Sequence, residues 1–185
     1  MVPALNHTAN TAIKVSPCFF RAKFLVLMAF LAIITGCGVY SFTGASIPPE
    51  AKTISITYFV NNASYVEPSL SHIITDALRD RFLAQTSLDF TQENGDLQIE
   101  GVITDYSTRP VAIQGNETAA LNRLTITVKV KFTNLIDPTK DFENSFSRFE
   151  DYPSDQDLSQ VKDQLVPVIS EALVDDIFNK SVVNW

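Results

Sequence analysis

Few side chains in this sequence of 185 residues are equipped for chemistry, and their spacing restricts what chemistry that can be. Beyond residue 36 there is one histidine, His72, with Asp76 four positions on. On a helix that interval lets a carboxylate orient an imidazole as a base. Catalysis also needs a nucleophile beside the imidazole, and the chain has no G-x-S-x-G turn to present one. The pair therefore reads as an exposed helical contact. A zinc centre needs three or four ligands, more than one histidine and one cysteine supply. The adjacent carboxylates Glu150-Asp151 and Asp175-Asp176 do not converge on a substrate and read as solvated faces, and no phosphate-binding loop is present. Phe142, Phe146, Phe149 and Tyr152 fall at strand spacing, which points to core packing before a ligand wall. The expectation is a protein without catalytic residues, metal or dissociable cofactor.

Cys37 is the exception. Arg21 and Lys23 precede an unbroken apolar run from Phe24 to Ile34, which closes on Ile34-Thr35-Gly36-Cys37. Spanning a bilayer takes about 20 apolar residues, so this run has the length of a signal-peptide core instead. Small residues ahead of a cysteine let extended backbone enter a peptidase cleft, and the thiol offers the sulfur for a diacylglycerol thioether. An aliphatic residue, two small residues and a cysteine match the bacterial lipobox. Residues 1–36 are thus expected to be a cleaved lipoprotein signal. Cys37 is expected to carry covalent diacylglycerol and acyl chains, and two or more such chains give stable membrane attachment.

All 21 acidic residues and all but three of the 14 basic ones follow residue 36, so the mature part is more acidic than the formal −7 of the whole chain. Nucleic acid is excluded as a partner, because phosphate backbones require a cationic stripe. An acidic surface also disfavours adhesion to anionic lipid, which leaves membrane attachment to Cys37. With Cys18 in the signal, the mature chain forms no internal disulfide and must be held by its core.

Residues 37–50 contain Pro48-Pro49 and no period, and read as a tether whose extended reach is roughly 40 Å. Ile54, Ile56 and Tyr58 then alternate with Ser55 and Thr57, as in a half-buried strand. Pro68 suits a first helical turn, and Leu70, Ile73, Ile74, Ala77, Leu78 and Phe82 follow the helical period, leaving His72, Asp76, Arg79 and Asp80 on a solvated face. A short strand at Leu88 to Phe90 leads through the turn Glu93-Asn94-Gly95 to a longer strand with Leu97, Ile99 and Ile103. Val102 and Tyr106 lie on the opposite parity, which predicts a bulge or a close backbone approach at Gly101. Ser107 to Ala120 reads as a polar loop.

The strongest strand follows. Leu124, Ile126, Val128, Val130 and Phe132 alternate with Thr125, Thr127, Lys129 and Lys131, Asp137-Pro138 marks a turn, and Phe142 to Tyr152 completes an antiparallel meander. From Asp155 the helical period returns, with Asp155 and Asp157 placed to cap and Pro167 predicting a kink or a break. Residues 51–185 therefore read as a single α+β domain, a two-layer sandwich. Its mainly antiparallel or mixed sheet has four to five strands, with two helices on one face. The other face, lined by Thr and Lys, suits water or a hydrophilic interior.

Gly36-Cys37-Gly38-Val39-Tyr40-Ser41-Phe42, Ile54 to Asn62, Pro68-Ser69-Leu70 with its helix to Thr86, Asp96 to Tyr106, Asn122 to Phe132, and Asp176-Ile177-Phe178-Asn179 ending near Trp185 carry a resemblance in their order and spacing. Over nearly the whole mature chain the sequence resembles the LptE family of lipopolysaccharide-assembly lipoproteins. The resemblance implies a non-enzymatic outer-membrane lipoprotein facing the periplasm. It also implies a plug within an LptD-like β-barrel, which helps that barrel assemble and pass lipopolysaccharide to the surface. Lipopolysaccharide contact through basic residues is implied as well, for which Arg109, Arg123, Lys129 and Lys131 are the candidates, on or beside the long loop and the polar strand face. A strand, a Pro-led helix and a Gly-containing strand are also similar to TolB-like and secretion-channel lipoprotein domains. A periplasmic lipoprotein of another envelope complex is therefore the alternative.

Overall fold

The computed structural model describes residues 47–111 and 120–183. The expected signal, Cys37, the tether up to residue 46 and residues 112–119 of the expected loop lie outside the described residues. The elements are β1 (Thr53–Ile56), β2 (Val60–Asn61), α1 (Leu70–Gln85), β3 (Asp89–Thr91), β4 (Leu97–Val111), β5 (Leu121–Asn134), β6 (Phe142–Pro153) and α2 (Leu158–Phe178). A 3-10 turn at Pro138–Lys140 and a π turn at Asn179–Val183 complete the order.

The strands form one six-stranded mixed sheet in the order β3-β1-β4-β5-β6, with β2 also paired to β4. β1 runs parallel to β3 and β4, whereas β4, β5 and β6 form the expected antiparallel meander. Alternation along β5 sets its register: Leu124, Ile126, Val128, Val130 and Phe132 are buried, and Lys129 and Lys131 are exposed. A slip of one residue would exchange those two sets, so pairing of Val128 with Ile103 and Phe146 is strongly specified. Leu70, Ile74, Leu78 and Phe82 of α1 and Val166, Ile169, Leu173 and Ile177 of α2 enter the same core. Each such side chain contributes roughly 1.5–3 kcal/mol of burial. The two helices meet where Phe82 and Phe178 pack edge to face, ring centres 5.0 Å apart. The fold is the expected α+β class with two helices and one mixed sheet, six strands rather than four or five.

Asp96 fastens the start of β4 to the start of β1. Its carboxylate accepts the backbone N–H groups of Lys52 and Thr53 and the Thr53 hydroxyl, each at 2.9 Å. Its own N–H donates to Thr53 Oγ1 at 3.0 Å. The Lys52 N–H is the main reason its carboxyl is held below the usual range, with the Thr53 donors adding to it.

Two expectations need correction and a third is narrowed. Residues 107–111, read as loop, continue β4 and pair with residues 121–125 of β5. Ladder pairing overrides the loop character of Ser107, Thr108 and Pro110, a case of tertiary context deciding strand length. The bulge lies at Thr104, between Ile103 and Asp105, rather than at Gly101, and it returns Tyr106 to the buried face opposite Ile126. At Gly101 the approach is by a side chain, since a Cβ there would stand 2.4 Å from the Phe59 ring. Of the kink or break expected at Pro167, the break is excluded: α2 runs through Pro167, with Val166 and Ile169 buried on either side.

Candidate functional site

With the helices on one side of the sheet, residues of opposite parity on β4, β5 and β6 form an open face. Arg123, Lys129 and Lys131 alternate with the buried residues of β5 and so lie on this face. Arg109 stands directly opposite Arg123 across the β4–β5 ladder. The structure thus brings all four candidate cations onto one surface.

Three of the four are already paired. Arg123 donates from Nε and Nη2 to the two carboxylate oxygens of Asp151, at 2.7 and 2.9 Å, and its guanidinium lies 3.7 Å from the centre of the Phe149 ring. These hydrogen bonds hold the Asp151 carboxyl below its ordinary range and push Arg123 up. Lys129 meets Glu143 at 2.6 Å, and that hydrogen bond lowers Glu143. Lys131 meets Glu100, its cross-strand neighbour, at 3.2 Å. Among the described residues Arg109 has no ion-pair partner. Between the charges, Thr127 and Ser147 share a hydrogen bond of 2.9 Å. Exposed pairs like these contribute little to stability, and their cations remain available to a multivalent anion.

The other residues singled out in the sequence are dispersed. His72 is exposed on α1 with its ring edge-on to Tyr58 at 4.8 Å, whereas Asp76 lies 3.7 Å from Arg79. Three of the four acidic residues expected to be solvated are clamps instead. Asp151 serves Arg123, Asp175 meets Arg81 of α1, and Asp176 accepts both arms of Arg148 at 2.6 Å. Phe142 and Phe146 pack against the core and Tyr152 is buried in it, but Phe149 points outward and is 49% exposed beneath Arg123. Its odd parity in the run 142, 146, 149, 152 was the signal for that exception. Among the described residues no cluster of three His, Cys, Asp or Glu is placed to hold a metal, and no helix is long and apolar enough to cross a membrane.

A family model described as LptE, lipopolysaccharide-assembly, matches residues 51–181. Curated proteins give no match. Among solved structures the chain is similar to uncharacterized lipoprotein B from Nitrosomonas europaea, at 13% identity and a TM-score of 0.48 over 78% of this chain and 88% of that one. A minor lipoprotein from Acinetobacter baumannii is also similar, at 13% identity and a TM-score of 0.47 over 70% of this chain and 91% of that one.

Proposed function

The chain belongs to the LptE family of lipopolysaccharide-assembly proteins, and from that membership we propose that it is an outer-membrane lipoprotein anchored by acyl chains on Cys37. Its sheet domain seats in the lumen of an LptD-like β-barrel, assists that barrel's assembly and lines part of the lipopolysaccharide route. It acts by binding rather than by turnover. The observation that carries the reading is the open face of β4, β5 and β6. Threonines, paired charges and one partly exposed aromatic make a surface compatible with a hydrated lumen and unsuited to an apolar core. Arg109, Arg123, Lys129 and Lys131 are the proposed contacts for lipopolysaccharide phosphates, while the carboxylates opposite them keep the face from holding its cargo too tightly.

Capture of the lipidated protein from outer membranes tests this. A large β-barrel should co-purify, and Cys37→Ala should release the protein from the membrane fraction. Depletion should leave the barrel misassembled and lipopolysaccharide stalled in the periplasm. Normal barrel levels with normal surface lipopolysaccharide in depleted cells would overturn the reading in favour of another envelope complex.

A further inference from the structure

The tip between β5 and β6 presents two adjacent aliphatic side chains to solvent, Leu135 and Ile136, 57% and 42% exposed. Turns are ordinarily polar, and here the polar members alone build the turn. The buried Asn134 accepts the N–H groups of Ile136 and Asp137 on its Oδ1, both at 2.9 Å, and its own N–H donates to Asp141 Oδ1 at 2.7 Å. Asp137 accepts the Thr139 N–H on its carboxylate at 3.1 Å and the Lys140 N–H on its carbonyl at 3.0 Å, and the Asp141 N–H donates to the Pro138 carbonyl at 3.3 Å. The Leu135 N–H donates to the Asp96 carbonyl at 2.9 Å. Every N–H from Asn134 to Asp141 is therefore bonded within the protein, Pro138 having none. A segment that leaves water for the edge of a bilayer needs its backbone donors paired beforehand, and this one has them paired.

The tip lies at the end of the domain from which the chain runs back to Cys37. Asp96 joins the two places, since its carbonyl holds the Leu135 N–H and its carboxylate holds the N–H groups of Lys52 and Thr53. Upstream of Lys52 the Ala51 N–H donates to the Pro48 carbonyl at 3.0 Å, and Ile47, where the described residues begin, packs against the core. The stretch from Cys37 to Ile47 reaches at most roughly 35 Å when extended. Along β4 the sheet continues for roughly 45 Å from Leu97 to Val111, so the domain has a tethered end and a far end. Two half-exposed aliphatic side chains hold a protein to lipid only weakly. An acyl anchor on the same chain makes their encounter with the surface intramolecular, which raises its effective concentration without any new contact. Glu50 and Asp137 beside the pair match a zwitterionic surface better than an anionic one.

We propose that Leu135 and Ile136 form a second, non-covalent membrane contact. The tip sets them into the headgroup–acyl boundary of the zwitterionic lipid surface that holds the Cys37 anchor, and the domain stands on that surface with its Val111 end away from it. The contact belongs to the lipoprotein before a barrel receives it, and it rests on the reading above only for the anchor. The test places the lipidated protein, isotope-labelled at methyl groups and amides, in phosphatidylcholine nanodiscs and adds doxyl-labelled phosphatidylcholine as a relaxation probe. The methyl resonances of Leu135 and Ile136 should broaden, and those of Val66 and Val168, which are also exposed, should not. In the double variant Leu135→Ser, Ile136→Ser the broadening that reaches the Lys52 and Lys140 amides should be lost while the protein stays on the disc. Broadening spread evenly over Val66 and Val168 would show a domain that only tumbles on its tether, and would overturn the contact. Methyl shifts at Leu135 and Ile136 that follow protein concentration and ignore the doxyl lipid would overturn it in favour of a second copy of the chain. A protein that does not co-purify with the disc removes the anchor and the contact together, whereas one that co-purifies without broadening at the tip removes the contact alone.

Discussion

Glu67 and Lys162 lie 95 residues apart in sequence and meet at 2.9 Å, joining the residue before Pro68 to the second turn of α2. Ser69 also donates to Glu67, at 2.9 Å, and the Glu67 carbonyl accepts from Asn61 Nδ2 at 3.2 Å. One glutamate therefore ties together the β2 end, the α1 start and α2.

The pair makes stability depend on pH in a defined way. The Lys162 hydrogen bond is the main influence holding the Glu67 carboxyl below its usual range, and the same bond raises Lys162. A depressed carboxyl contributes stability that is present above its unfolded pKa of about 4.3 and is lost as pH falls through the folded value. A raised lysine contributes stability present below about 10.4 and lost as pH rises through its folded value. Lys162→Met should therefore melt below wild type between about pH 5 and pH 10, with the gap closing on acidification. A constant gap down to pH 2 would show that packing of the lysine stem, rather than charge, is responsible.

Gly101→Ala should destabilise the domain by about 1–3 kcal/mol in urea unfolding. The added Cβ would stand 2.4 Å from three atoms of the Phe59 ring or nearly so, and Phe59 is fully buried, so the ring has nowhere to move. Phe59→Leu in the same chain should recover part of the loss. No recovery would place the strain in the β4 backbone instead.

Val128→Pro should unfold the protein. β5 is flanked by β4 and β6, so a proline there removes a ladder donor with no solvent to replace it. With total stability of ~5–15 kcal/mol in domains of this kind, loss of central pairing leaves little to hold the fold. A cooperative transition near the wild-type temperature would contradict the pairing of β5 on both sides.

What the sequence made legible follows from periodicity. Leu124 to Phe132 and Leu70 to Phe82 announce strand and helix because every turn or pleat repeats the same burial. Residues 107–111 did not, since their strand character depends on β5 lying alongside, and Ser, Thr, Arg and Pro carry no period. The bulge at Thr104 is visible only as the parity change at Tyr106, and the nearest glycine, Gly101, marks the close approach of Phe59 instead. Arg123, Lys129 and Lys131 are legible on the polar parity of β5, and Arg109 only as a basic residue in the expected loop. The carboxylates that pair with the first three are not legible, because Glu100, Glu143 and Asp151 lie on other strands and become neighbours only through register.

Those carboxylates yield the last prediction. Asp151 occupies both donating arms of Arg123, and Glu143 occupies Lys129, so each acid subtracts one charge from the face proposed to meet a phosphate. Removing one unit charge at ~7 Å in water changes an anion's affinity by on the order of threefold. Asp151→Asn and Glu143→Gln should strengthen lipopolysaccharide binding by about that factor, and Lys129→Glu with Lys131→Glu should weaken it severalfold while the fold persists. All of these differences should shrink at high salt, where exposed charges are screened. If Asp151→Asn instead weakens binding, the role of that carboxylate is to hold the Arg123 guanidinium over Phe149 in a fixed orientation, and geometry rather than net charge governs how this face reads its ligand.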